Sequence, residues 1–255
     1  MTELGLNWQQ VKVLTFANMK ARYRKTFIGF VWVVLNPILM FSVQALVFKK
    51  FLQINHPEYY LFLLGGLLPW IFINSSWDTC TTTIANASQV IKSFQISPLV
   101  IVASAILDCF VNFSAAFTIM LIPTILLSGG VSSSLALLPF SILLLILFTV
   151  SSTAIFAVLH VFYRDIKYVT HFAMGLLFFL TPIFYPPDYI PNSLQWIINF
   201  NPIFIIIAPF RSCLLEGDFL EILVMLAKGL LLGILTTLLF VKLWQKKKNE
   251  LFLKL

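Results

Sequence analysis

The side chains able to do chemistry are few, and most are basic. Arg22, Arg24 and Lys25 stand within four residues of one another, directly before the first long apolar run. Guanidinium groups offer paired donors to phosphate oxygens, so this cluster suits the entry of an anionic head group. The same residues suit an ordinary cytoplasmic anchor at the start of a span, and both readings stand at this point. Asp108 and Lys228 fall well inside apolar runs, and Asp78 lies near the end of another. A charge at that depth costs roughly 2.5–3.5 kcal/mol on insertion scales, so each is expected to find a partner or reach water. Helix rise puts Asp108 and Lys228 about 8 Å apart in depth, within reach only if the lysine bends inward. Snorkelling of Lys228 towards the outer surface is the simpler expectation. A proton relay needs several acids and histidines along one path, whereas His160 and His171 fall near cytoplasmic ends.

Other reactive patterns are missing. The chain has no GxxxxGK[ST] loop, HExxH, paired CxxC or GxSxG, and no DxxDG of the membrane CDP-alcohol phosphotransferases. Cys80, Cys109 and Cys213 are isolated among apolar neighbours and read as small packing residues. No catalytic residue, metal-ligand set or cofactor site is expected, and ATP hydrolysis of the P-loop kind is left to another chain.

The elements that must position these residues are membrane helices. Of 255 residues, 60% are hydrophobic and 11% charged, and mean hydropathy is +0.95. A soluble domain carries about 45–50% apolar and ~25% charged residues, so a water-soluble or disordered chain is excluded. Apolar stretches at 27–48, 60–81, 99–127, 135–160, 169–185 and 222–243 are long enough to cross a core of about 30 Å. The fifth is the shortest, and Pro123 is placed to end or kink the third. With both termini in the cytoplasm, 13 of the 17 basic residues fall on the inner side. The net charge of +7 is thus mostly orientation, and no nucleic-acid partner is implied. One domain is expected over 1–255: an interface segment at 1–26, six spans within 27–243 and a basic cytoplasmic tail at 244–255. The fold class is an all-α integral membrane protein, and the segment holding Trp8 suits an N-terminal interfacial helix.

Two segments are neither spans nor simple loops. The outer connection 186–221 contains two apolar stretches, 194–200 and 203–215, each too short to cross. Asn201-Pro202 separates them, since proline disfavours helix at the residue before it. They read as two re-entrant half-helices closing a pathway from outside, or as interfacial helices, given Trp196. The inner segment 82–98 suits a short helix, capped by Asn86 or Ser88, running through Val90, Ile91 and Lys92 and ended by Pro98. Such a helix can serve as a docking knob.

Several stretches taken together resemble the permease subunits of bacterial polysaccharide ABC exporters, the type-2 systems for O-antigen, capsule or teichoic acid. They are Arg22-Tyr23-Arg24-Lys25, Gly29-Phe30-Val31-Trp32, Leu35-Asn36-Pro37 and Gly66-Leu67-Leu68-Pro69-Trp70-Ile71-Phe72. Asn86 with Val90-Ile91-Lys92 follows, then Tyr163-Arg164-Asp165-Ile166, Thr181-Pro182-Ile183-Phe184-Tyr185-Pro186, Asn201-Pro202 and Phe210-Arg211. The resemblance implies a multi-pass subunit of the bacterial cytoplasmic membrane that pairs with a second copy of itself and two copies of an ABC ATPase, which holds the ATP and Mg. It implies an interface helix within 2–25, ATPase coupling through 86–97 and an outer gate in 190–215. On that mapping Asn86, Val90, Ile91, Lys92 and Phe94 serve coupling, and Trp196, Asn201, Pro202 and Arg211 serve the gate. Arg22, Arg24 and Lys25 receive the head group of a lipid-linked glycan or polyol-phosphate polymer, while Trp32, Trp70, Phe184 and Tyr185 offer faces to sugars. Where the family often has Lys-Lys and Phe-Pro pairs, this chain reads Lys92-Ser93-Phe94-Gln95-Ile96-Ser97-Pro98, a difference that bears on the matching ATPase. The rival reading is an ion-gradient transporter using Asp108, and a membrane-embedded glycosyl or phosphoryl transferase is a more distant one.

Overall fold

Backbone polar groups have no water to bond in a bilayer core, so long apolar runs close their hydrogen bonds internally as helices. A computed structural model describes residues 7–23, 29–54, 58–128, 133–215 and 217–254. Among these residues every regular element is helical. Helix α1 is Trp8–Tyr23, followed by a single 3-10 turn, Gly29–Val31. Gly29 takes φ +60°, a left-handed conformation that glycine adopts without a Cβ clash. Helix α2, Trp32–Ala45, continues as a π-helical stretch, Leu46–Phe51. Then come α3 (Tyr59–Cys80), α4 (Thr83–Asn86), α5 (Ser88–Phe94), α6 (Pro98–Ser128) and α7 (Leu138–Phe162). The chain ends with α8 (Ile166–Leu180), α9 (Gln195–Asn199), α10 (Pro202–Leu214) and the long α11 (Phe219–Lys254).

Among the described residues, four helices are long and apolar enough to cross a membrane: α3 running on into α4, α6, α7 and α11. The bent pair α9 and α10, which meet at 93°, makes a fifth if counted as one span. The four are the second, third, fourth and sixth of the expected spans; the first and fifth correspond to α2 and α8, of 14 and 15 residues. Several boundaries differ from the sequence reading. Helix α6 continues past Pro123 to Ser128. The fifth span stops at Leu180, because Pro182 disfavours helical geometry at Thr181, which is extended. Neither Asn86 nor Ser88 caps α5: Ala87 occupies that position without a side-chain bond, and Gln95, in a left-handed conformation, ends the helix. Pro98 instead opens α6, where its missing N–H is harmless.

Packing fixes how these helices meet. An aromatic cluster joins α3, α6 and α10: Phe72 to Phe113 at 5.3 Å, Phe113 to Phe117 at 5.7 Å and Phe117 to Phe210 at 5.2 Å. Helix α11 lies along α7, close enough that a Cβ on Gly233 would come within 2.9 Å of Leu147. Small residues allow such approach in membranes, and Ser151 shares a 2.8 Å hydrogen bond with Thr236 across the same contact. Residues expected as a basic tail continue α11 without a break to Lys254. There Lys247 and Lys254 lie over the Phe162 ring at the end of α7. Helix α1 buries Val11 and Thr15 against α6 and exposes Trp8, Val13 and Phe16 on its other side.

Candidate functional site

Helices α2, α3 and α8 enclose a cleft of about 290 Å³ lined by Gln44, Trp70, Asn74, His171, Phe178 and Phe179, with aliphatic residues between them. On α3 the lining residues Trp70 and Asn74 are one turn apart, and Asp78 follows one turn further on the same face. His171 Nδ1 on α8 lies 3.9 Å from Asp78 Oδ1. From the cleft an aromatic ladder runs outward: Trp70 to Phe178 at 5.5 Å, Phe178 to Phe184 at 5.1 Å, and Phe184 stacked on Phe48 at 4.6 Å. Ring faces beside amide and imidazole groups make a surface suited to a polar ligand with apolar faces, such as a sugar. Of the four aromatics named from sequence, Trp70 lines the cleft but is mostly buried, and Phe184 is buried within the ladder. Tyr185 packs at its end, donating from its hydroxyl to the Phe179 carbonyl at 3.3 Å. Trp32 is exposed on α2 and does not line the cleft. Gln44, Asn74, His171 and Phe178 were missed; the one-turn spacing of Trp70, Asn74 and Asp78 was the available signal.

Beyond α8 the chain runs through buried, non-helical Thr181, Pro182, Ile183 and Phe184. Backbone of that kind within a membrane fold needs partners for its carbonyls, and α10 supplies them. Asn201 Oδ1 caps α10 by accepting from the Ile203 and Phe204 amides, while its Nδ2 donates to Thr181 Oγ1 at 2.9 Å. Arg211 donates from Nη1 to the Pro182 carbonyl at 2.8 Å and from Nη2 to the Ile183 carbonyl at 3.1 Å. Its guanidinium rests 4.0 Å from the centre of the Phe62 ring. The sequence reading put Arg211 in the outer connection, as a gate residue, with no partner named for it. It is buried, because the break at Pro182 leaves carbonyls that need a donor. Gly65 and Gly66 on α3 clear the space it occupies. Trp196 is exposed on α9, and Pro202 is half-buried at the start of α10.

On the opposite side, α5 turns Ile91 inward and exposes Val90 and Phe94 one turn apart, with Asn86 and Lys92 also exposed. Arg22, at the end of α1, donates from Nη2 to Asp108 Oδ2 at 2.5 Å. Asp108 therefore has its partner in α1, and Lys228 stands exposed on α11. Arg24 and Lys25 lie outside the described residues.

Among the described residues, four apolar helices of membrane-spanning length define an integral membrane protein. Residues 9–215 match the family model described as ABC-2 type transporter, and the chain belongs to that family. It is 31% identical over 246 residues to the O-antigen export system permease protein RfbA of Klebsiella pneumoniae, covering 94% of each chain. It is 28% identical over 200 residues to an RfbA of Myxococcus xanthus, covering 78% of this chain and 77% of that one. The polysialic acid transport protein KpsM of Escherichia coli is 23% identical over 223 residues, covering 85% of this chain and 86% of that protein. An ion-driven transporter working through Asp108 finds no support: the family is ABC-2, and the carboxylate is held by Arg22.

Proposed function

We propose that this chain is the permease of an ATP-driven exporter that carries a lipid-linked polysaccharide across the cytoplasmic membrane. What carries the reading is the likeness to O-antigen export permeases along nearly the whole length of both chains. Two copies pair, each with six spans counting α2 and α8, both termini cytoplasmic, and each engages one copy of a separate ATPase. The chain itself performs no chemistry and binds neither ATP nor Mg. ATP-driven closure of the ATPases pushes on α5 through Val90 and Phe94 and shifts the helices between two discrete arrangements. Arg22, Arg24 and Lys25 receive the pyrophosphate head group, and the glycan follows along the cleft of Trp70, Asn74 and His171. The α9–α10 pair, locked to the end of α8 through Asn201 and Arg211, forms the outer gate. Reconstitution with the ATPase, following release of lipid-linked polymer, tests the reading. Export should require ATP hydrolysis, and export that persists with an inactivated ATPase overturns it.

A further inference from the structure

Helix α11 turns one long stripe away from the rest of the molecule. Its 36 residues reach about 54 Å, well beyond a hydrocarbon core of ~30 Å, so its last turns leave the bilayer. In those turns Trp244 and Leu251 are buried towards the bundle, while Lys247 and Lys254 lie over the Phe162 ring of α7. These contacts fix the roll of the helix, and helical spacing then sets the opposite face. Exposed Leu231, Leu235 and Leu238 are followed on that face by exposed Lys242, Lys246 and Asn249, each three or four residues after the last. Gln245 lies beside them, also exposed. Lys228 sits on the same stripe, about 21 Å before Lys242 along the axis, so the leucines lie between two levels of lysine. Glu250, the one acidic side chain in 242–254, is bonded to Lys247 at 2.6 Å. Among the described residues, Lys242 and Lys246 enter no ion pair.

We infer that this face of α11 binds an anionic glycerophospholipid. The leucine stripe takes its acyl chains, and Lys242 and Lys246, with the Gln245 and Asn249 amides beside them, take the phosphate. Charge decides the occupant: two ammonium groups one turn apart attract a phosphodiester, and the amides add donors within the same two turns. A zwitterionic lipid would bring a cation of its own to the same place. An acidic protein surface would match the lysines but not the leucines that lead up to them. Lysine stems lie along an apolar stripe of this kind while their ammonium groups stay at head-group level. With the termini cytoplasmic, as proposed above, the leaflet is the inner one; the binding itself does not depend on what the chain exports.

The test is native mass spectrometry of the full-length chain released from detergent micelles. It is titrated with dioleoyl phosphatidylglycerol and, separately, with dioleoyl phosphatidylcholine. The unaltered chain should hold the anionic lipid about thirtyfold more tightly, the scale of two lysines near a membrane surface. Lys242→Gln with Lys246→Gln should abolish that preference, and Lys242→Arg with Lys246→Arg should keep it. Lys248→Gln with Lys254→Gln removes the same charge from the same turns on other faces, and should leave the preference within about twofold. Equal binding of the two lipids by the unaltered chain, or equal loss in both glutamine pairs, overturns the inference. So does displacement of the lipid by an equal concentration of glycerol 3-phosphate, which would make the face a site for free anions. A Lys242→Gln, Lys246→Gln chain that keeps the lipid but loses the ATPase on co-purification overturns it too, since the face would then be a protein contact. If that pair fails to assemble, Lys242→Gln and Lys246→Gln are made singly. Each should weaken the anionic lipid about fivefold, and no loss in either has the same consequence.

Discussion

Arg211 shows how a side chain's partners escape notice when they are made by a distant break in the chain. The carbonyls it binds lie 29 and 28 residues away and need a donor only because helix α8 stops before Pro182. Gly66 is the counterpart of this arrangement. A Cβ there would fall on Arg211 Nη2 and within 3.1 Å of the Ile183 carbonyl oxygen, whereas Gly175 on α8 has nothing within 4 Å. Gly66→Ala should therefore lower stability by about 1–3 kcal/mol, as overpacking does, and Gly175→Ala should not. Thermal denaturation of the two purified variants in detergent compares them directly, and equal melting would mean that Arg211 can swing aside. The partner of Asp108 was hidden for a related reason. Depth arithmetic compares charges within spans, and Arg22 reaches Asp108 only because α1 packs along α6 through Val11 and Thr15.

At the scale of elements, the two half-helices before α11 were legible, because each is an apolar stretch too short to cross and they part at Asn201-Pro202; the short helix within 82–98 was legible as a helix, but not its caps. The bend at Asn201-Pro202 follows from local chemistry: a side-chain cap, then a proline at the first helical position. What sequence did not give was the end of α5, where Gln95 takes a left-handed conformation without glycine. That helix is anchored by Ile91 alone and shows Phe94 at 73% exposure. Phe94→Asp should leave folding within about 0.5 kcal/mol, as exposed substitutions usually do. The same change should abolish co-purification with the ATPase and export in the reconstituted system. Retained pairing would remove α5 from the docking surface. The cleft between α2, α3 and α8 was only partly legible, because its polar residues come from three helices and no single run displays them together.

For the whole molecule, composition and apolar length were enough to specify an all-helical membrane protein and to place its four longest spans. They were less informative for α2 and α8, whose ends are shaped by a π-helical stretch and by Pro182, features that depend on local backbone geometry. The Arg22–Asp108 pair also bears on how the chain is made. The ribosome releases Arg22 86 residues before Asp108, so the cation is already waiting at the membrane when the third span arrives. A carboxylate in the middle of a lone helix carries a partition penalty of roughly 2.5–3.5 kcal/mol, and a partner that comes first can relieve it during insertion rather than afterwards. Arg22→Ala should then leave a larger fraction of nascent chains with α6 uninserted, read by accessibility labelling of a cysteine placed at Ser132. Equal insertion would mean that the translocation machinery carries Asp108 across without help from α1. An ion pair in the finished protein would on this view be the trace of an order of synthesis, with the amino-terminal helix acting as a built-in chaperone for a span that is poorly suited to enter lipid alone.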